Sequence, residues 1–308
     1  MSVRGTTRRL RALGAAAVNA VVGKLATAAL AFVRRRDPNR SIEFSARWMR
    51  RIGPLLPEHR VGRANLTAAF PEKSAAEIDA ILREVWANLG RVGVEFAHLD
   101  RLWDLDLDRP DTGRIQASQE VIDRFLNVRA GGKPVLCFAA HYGNWELSAV
   151  AATTHGIAGA VLYRAPNIGD IDRFVREIRA TSMGILVPTT LDAPVRIANL
   201  LQSGVPVGML VDQHYSRGVD VTFFGRRCKA NPLIARLARQ VECPIYGTRI
   251  IRLPHNRFRV DLVGPVEPAR DAQGRVDIAG TMQVIMNIIE GWIREHPEQW
   301  LWLHRRWR

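Results

Sequence analysis

A histidine and a glutamate, His141 and Glu146, stand five residues apart where an apolar run gives way to a turn. The run Val135 to Ala140 predicts a buried strand, and Gly143 permits a sharp turn into a helix whose first turn holds Glu146. Across such a corner a carboxylate can hold one imidazole nitrogen, which leaves the other free to remove a proton from a hydroxyl. The pair indicates general-base chemistry. The alternative is a histidine that bonds a backbone carbonyl, with Glu146 favoured by a helix dipole.

Other signatures of catalysis or ligand binding are missing from the sequence. It contains no GxSxG, HExxH, GxGxxG or complete GxxxxGK motif. The three cysteines are widely spaced and form no CxxC, which argues against a disulfide framework and a zinc site. The Ser and Cys residues have no neighbouring base in the sequence, so a covalent intermediate is not predicted. We expect neither a metal nor a cofactor.

The elements that would position the pair change character along the chain. Residues 41–117 are predicted to be helical, with a capping box at Ser74 and Glu77. From residue 118 onward, strands and helices alternate, which indicates an α/β sheet with helical connections. A long polar loop is expected from about 212 to 230, and a hairpin after it. The predicted strands are 134–140, 159–163, 185–188, 205–211, 243–252 and 257–263.

The N-terminus and the net charge bear on partners. Residues 13–33 are mostly small or apolar between basic flanks, so we expect residues 1–40 to form a membrane-associating helix ahead of a domain at 41–308. Lys24 near its middle leaves interfacial and spanning arrangements open, and an ordinary soluble helix is the alternative. The formal charge of +14 favours an anionic partner such as nucleic acid, an acidic membrane, an acidic carrier or a phosphorylated substrate.

The stretch around the pair, HYGNWE, resembles the HxxxxD/E motif of lysophospholipid and glycerolipid acyltransferases, most closely the late acyltransferases of lipid A biosynthesis. The similarity runs from about residue 45 to the end, in the order of that family. One departure is Asn231, where Thr or a similar small polar residue is expected. The other similar segments are RVGRANLTAAFPEKS (60–74), LYRAPN (162–167), DQHY (212–215), VDVTFFG (219–225) and HPEQWLWLHRRW (296–307).

The resemblance implies a fold and a reaction. The fold would be an α/β, glycerol-3-phosphate acyltransferase-like mixed sheet flanked by helices, with a helical N-terminal portion. His141 would deprotonate a hydroxyl on a 3-hydroxyacyl chain of a lipid A precursor while Glu146 orients the ring. The hydroxyl would then attack an acyl thioester, with acyl carrier protein as the expected donor and acyl-CoA as the alternative. The expected location is the cytoplasmic face of the inner membrane, with its phospholipid as a further partner.

The resemblance also gives further side chains a role at this site. Arg164 is the first candidate for stabilising the oxyanion, with backbone amides of the Gly143 turn as the alternative, and Asn144 is a candidate for binding substrate. Arg173 and Arg176 could bind acceptor phosphates, or could simply form a solvated basic face. The remaining candidates are polar support from Asp212 and Gln213 at a strand end, and phosphate or membrane contact by Arg305 and Arg306.

Two other functions compete with this interpretation. The same His–Glu chemistry would serve an acyltransferase that acts on another glycolipid or on a lysophospholipid. A non-enzymatic basic protein could instead bind nucleic acid or anionic lipid through charge alone. The basic residues are spread over several separate places while the histidine and glutamate lie at a strand end, so we expect an enzyme without a nucleic-acid partner.

Overall fold

The computed structural model describes residues 23–24, 27–164 and 169–307. Helices and strands are numbered here in chain order from residue 38. The helices are α1 (Pro38–Ile52), α2 (Glu58–Ala69), α3 (Ala75–Phe96), α4 (Leu99–Leu102), α5 (Gln119–Gly131), α6 (Leu147–Thr154), α7 (Gly169–Ser182), α8 (Ala193–Gln202), α9 (Leu233–Val241) and α10 (Ile278–Glu295). The strands are β1 (Ile115–Ala117), β2 (Leu136–Ala139), β3 (Ala160–Tyr163), β4 (Ile185–Pro188), β5 (Val207–Leu210), β6 (His214–Phe223), β7 (Arg226–Ala230), β8 (Ile245–Leu253) and β9 (Arg257–Val266).

Seven strands form one mixed sheet in the order β1-β9-β8-β2-β5-β3-β4. β8 and β9 are antiparallel, and every other neighbouring pair in this sheet is parallel. Helices flank the sheet, so the predicted α/β class with a mixed sheet is confirmed. The central position of β2 and β5 fits their short, largely apolar sequences, because a central strand of a parallel sheet is covered on both faces.

The two faces of β2 have different environments. Leu136, Phe138 and Ala140 belong to the main hydrophobic core, which also contains side chains of α9 and α10. Cys137, Ala139 and His141 point to the opposite face, because successive side chains of a strand alternate. The sheet therefore separates a packed core from the face that carries the histidine.

The helical N-terminal portion packs as an antiparallel pair. α3 starts with the predicted capping box, in which Ser74 Oγ accepts from Glu77 N and the Glu77 side chain accepts from Ser74 N. α1 runs back along α3, and Arg50 donates to Glu84 at 2.8 Å near one end of the contact. Closer to the other end of α1, Ser45 Oγ donates to Gly90 O at 2.8 Å.

Two segments differ from the elements predicted from the sequence. The expected polar loop contains β6 and β7, an antiparallel ribbon separate from the main sheet. Its exposed, charged positions hide the alternation by which a strand is recognised. β1 lies within the portion predicted to be helical and pairs with β9 through three residues, too few for a periodicity to show.

The expected N-terminal helix, residues 13–33, lies mostly outside the described residues. Residues 27–34 are helical, and Arg34 pairs with Asp100 at 2.7 Å. Among the helices of the described residues, none has both the length and the hydropathy that crossing a bilayer requires.

Candidate active site

The central pair of the site, His141 and Asp212, lies just after the ends of two neighbouring strands. β2 and β5 are parallel, and Ala139 lies opposite Leu210 at the end of their pairing. Two residues further along each chain stand His141 and Asp212, so matched register places them side by side. The distance from His141 Nδ1 to Asp212 Oδ1 is 2.8 Å, and His141 N donates to Asp212 Oδ2 at 2.9 Å. The carboxylate thus holds both the ring and the backbone of the histidine.

The surroundings of Asp212 keep it ionised. Its residue is 2% exposed, and Trp300 Nε1 donates to Oδ2 at 2.7 Å. Burial alone would raise the pKa of Asp212, but the charge of His141 and the hydrogen bonds from His141 and Trp300 outweigh it and lower the pKa to about 2. Asp212 therefore acts as a hydrogen-bond acceptor, which leaves a proton on Nδ1 and a lone pair on Nε2 of neutral His141.

The same contacts determine how readily His141 binds a proton. Burial alone would lower the pKa of His141, but the charge and hydrogen bond of Asp212, with the charge of Glu146, raise it above the usual value. Nε2 lies 3.3 Å from Gln213 Nε2, and both side chains line a cavity. The ring can therefore accept a proton on Nε2, which lies near the cavity.

Glu146 does not hold the imidazole ring, and this part of the sequence prediction is corrected. Its carboxylate accepts from Arg179 Nη2 at 2.6 Å and Nε at 3.1 Å, and from Trp145 Nε1 at 3.1 Å. The guanidinium of Arg179 lies over two rings, 5.4 Å from that of Phe96 and 5.5 Å from that of Tyr163. The charge of Glu146 thus raises the pKa of His141, and its carboxylate holds the Arg179 guanidinium at the cavity wall.

The turn between β2 and α6 depends on a glycine. Gly143 has φ of +56°, and a Cβ there would lie 1.8 Å from Ile250 O. Its N–H donates to Gln299 O at 2.9 Å, and its carbonyl accepts from Asn88 Nδ2 at 3.1 Å. The turn is therefore bound on both sides by chain segments distant in sequence.

Asn144 is buried among the residues that hold this turn, which corrects its predicted role in substrate binding. Its residue is fully buried, its Nδ2 donates to Glu95 Oε2 at 2.9 Å, and its Oδ1 accepts from Glu146 N at 3.2 Å. Glu95 also accepts from Arg252 Nη2 at 2.8 Å, and Arg252 Nε donates to Asn88 Oδ1 at 2.8 Å. A buried polar network thus fixes the residues between His141 and Glu146.

The remaining predicted cations separate into different environments. Arg164 is exposed and lines the cavity, directly after β3. Arg173 and Arg176 are exposed on α7, whereas Arg179 of the same helix lines the cavity. Arg305 is exposed at the C-terminus.

Arg306 is buried, which corrects its expected contact with phosphate or membrane. It is 1% exposed, its Nη1 donates to Lys229 O at 2.8 Å, and its guanidinium lies 5.1 Å from the Phe223 ring. Trp300 and Trp302 beside it are buried as well, with ring centroids 4.6 Å apart. Trp300, Trp302 and Arg306 therefore pack into the core, and Trp300 donates the hydrogen bond to Asp212.

The cavity next to His141 has a volume of about 870 Å³. Its wall on the sheet side includes Cys137, Ala139 and His141, and α5 and α6 cover it with apolar side chains. These include Val121, Phe125, Val128, Ala149 and Ala152. A largely apolar cavity with a few polar groups at one place is suited to a hydrocarbon chain whose reactive end lies at the histidine. Among the described residues, no three His, Cys, Asp or Glu side chains come together in a way that could hold a metal ion.

Sequence reasoning finds the histidine but not the residues that hold it. The sequence predicts only polar support of the site by Asp212, whereas this carboxylate contacts the ring directly from a position 71 residues away. Trp300 stands in the segment 296–307 that resembles the family, but the sequence assigns it no contact with Asp212. The signal available in the sequence is that Asp212, like His141, directly follows an apolar run.

A family model described as bacterial lipid A biosynthesis acyltransferase matches residues 5–308, which is almost the whole chain. No curated protein matches the chain significantly.

Proposed function

Since the chain belongs to the bacterial lipid A biosynthesis acyltransferase family, we propose that it moves a fatty acyl chain from an acyl thioester to a hydroxyl on a lipid A precursor. The proposed acceptor is the hydroxyl of a 3-hydroxyacyl chain on that precursor. The proposed donor is acyl carrier protein, and the proposed location is the cytoplasmic face of the inner membrane.

One observation carries this proposal: the His141–Asp212 pair opens onto a largely apolar cavity of about 870 Å³. A base alone would fit many reactions, and an apolar cavity alone would fit many ligands. Together they support a reaction in which an acyl chain is held by its hydrocarbon part and reacts at its carbonyl end.

The proposed reaction is direct transfer. His141 Nε2 takes the proton of the acceptor hydroxyl as its oxygen attacks the thioester carbonyl, and Asp212 stabilises the resulting imidazolium. The tetrahedral intermediate then collapses with breakage of the C–S bond, and the thiolate receives the proton from His141. The products are an ester and a free carrier thiol.

Arginine side chains are proposed to stabilise the negative charges of the oxyanion and of the acceptor phosphates. Arg164 lines the same cavity as His141 and is proposed to stabilise the oxyanion. Glu146 is proposed to matter for catalysis by holding Arg179 at the same wall. Arg173 and Arg176, exposed on α7, are proposed to receive acceptor phosphates.

The test is transfer by the purified full chain from acyl carrier protein thioester to a hydroxyacylated lipid A precursor, with the product identified by mass spectrometry. His141→Ala should lower kcat by about 10²–10⁴-fold. His296→Ala is the control, because that side chain is half exposed and pairs with Glu298. Near wild-type turnover by His141→Ala would refute the mechanism.

The acceptor is tested separately. Transfer to a lysophospholipid but not to the lipid A precursor would favour the other acyltransferase function. Failure with every acceptor and both donor types, combined with tight binding to nucleic acid, would favour a non-enzymatic basic protein.

A further inference from the structure

The outer face of α1, on the side away from α3, carries large apolar side chains that are open to solvent. Phe44 is 63% exposed, Trp48 is 54% exposed, and Leu55 just beyond the helix is 82% exposed. The inner face of the same helix buries Ile42 and Ala46 completely. An ordinary surface helix turns polar residues outward, so apolar exposure on this scale marks a surface that is covered in use.

Arginines are interleaved with these apolar side chains. Arg40, Arg47 and Arg51 are exposed and recur at the helical spacing that places them beside Phe44 and Trp48. The one acidic residue between 38 and 56 is Glu43, which is partly buried and pairs with Arg91 at 3.5 Å. The exposed residues of this segment are Asn39, Arg40, Phe44, Arg47, Trp48, Arg51, Leu55 and Leu56. The outer face of α1 is therefore both apolar and positively charged.

We propose that the outer face of α1 binds the interface of an anionic lipid bilayer. Indole rings sit at the level of the headgroups, aliphatic and phenyl side chains enter the acyl region, and guanidinium groups pair with anionic headgroups. A nucleic acid would pair with the arginines but would leave Leu55 and Phe44 in water. Because the face combines positive charge with large apolar side chains, it fits a lipid interface better than a nucleic acid.

Most of this face lies outside the segments for which the sequence predicts membrane contact. The sequence predicts membrane contact for residues 1–40 and for Arg305 and Arg306, but Arg306 is buried. The proposed bilayer contact deepens the proposed location of the enzyme. Because it requires no acyl transfer, it can succeed or fail independently of the proposed reaction.

The protein contains its own probe for this contact. All eight tryptophans lie in the described residues, and Trp48 is the one in an exposed position; the others are buried or partly buried. Bromine atoms on lipid acyl chains quench indole fluorescence only at short range. Vesicles of phosphatidylglycerol and phosphatidylethanolamine with brominated acyl chains should quench part of the fluorescence of the full-length protein, and Trp48→Phe should remove most of that quenching.

Two further variants test the chemistry of the contact. Arg47→Glu/Arg51→Glu should weaken the vesicle affinity measured through Trp48 quenching by about tenfold or more. Leu191→Glu is the control, because Leu191 is a fully exposed apolar side chain outside this face, and it should leave the quenching unchanged. Equal quenching of wild type and Trp48→Phe, or an unchanged affinity in the double arginine variant, would overturn the proposal.

Discussion

The proposed role of His141 as the base depends on its protonation state. Only the neutral ring accepts a proton, and Asp212 and Glu146 raise the pKa of His141 above its usual value. We therefore expect kcat/KM to rise with pH through an apparent pKa above about 6.5. Asp212→Asn removes the main charge that offsets burial, so the acidic limb should move to lower pH. The plateau should also fall, by about 10²–10⁴-fold, because the ring loses its fixed tautomer.

A pH–rate profile of both proteins measures these two effects separately. Asp220→Asn serves as the control, because Asp220 is exposed and pairs with Lys229 on the β6–β7 ribbon. An acidic limb that stays at the same pH in Asp212→Asn would show that another group sets the profile.

Glu146 and Arg179 should behave as a unit. Both are largely buried, and the ion pair between them is 2.6 Å long. Changing either residue to Gln leaves the other charge without its partner, which should cost about 2–5 kcal/mol of unfolding free energy. The double variant should lose less than the sum of the two single losses, while transfer stays low in all three proteins. Urea unfolding measures the coupling, and strictly additive losses would mean that the pair contributes nothing to stability.

At the level of the element, the turn from β2 to α6 should tolerate no side chain at Gly143. Gly132 ends α5 with the same φ of +56°, but a Cβ there would meet no atom of the described residues within 4 Å, so it is a matched control. Gly132→Ala should cost only the left-handed backbone penalty of about 1–2 kcal/mol. Gly143→Ala adds a collision with Ile250 O and should displace the turn.

The comparison uses thermal unfolding and transfer activity of both variants. Gly143→Ala should be clearly less stable than Gly132→Ala and should lose most of its activity, because His141 is displaced with the turn. Similar values for the two variants would mean that the contact with Ile250 is easily relieved.

The contrast between His141 and Asp212 shows what the sequence can predict. Apolar runs ending in polar residues predict both strand ends, since burial of a central strand leaves a local signature. Which carboxylate meets the ring depends on β2 and β5 being neighbours, and strand order is a long-range property that no local pattern reveals. Glu146 is nearest in sequence, but Asp212 is nearest in space.

At the level of the whole molecule, the composition of a segment predicts its environment less well than apolar periodicity predicts the fold class. The α/β class follows from regular apolar spacing, and the structure has it. The C-terminal segment HPEQWLWLHRRW (296–307) has the same composition whether it faces a membrane or the core, and the structure buries Trp302 and Arg306 in the core. The aromatic and basic face of α1 has only two aromatic residues, Phe44 and Trp48, and its sequence resembles that of an ordinary helix.

The net charge of +14 leads to a prediction about the donor. A protein donor that docks through charges at the rim of the site should bind less well as salt rises, because screening shortens the reach of charge from about 8 Å at physiological ionic strength to roughly 3 Å at 1 M. A small donor held inside a cavity should lose less affinity. Raising salt to about 0.5 M should therefore increase the apparent KM for acyl carrier protein thioester far more than that for the matching CoA thioester, with kcat little changed. Steady-state kinetics with both donors, on an acceptor kept saturating, measure this difference. Equal salt sensitivity, or better use of the CoA thioester at every salt concentration, would contradict a carrier-protein donor, because the excess positive charge would then have no part in donor choice.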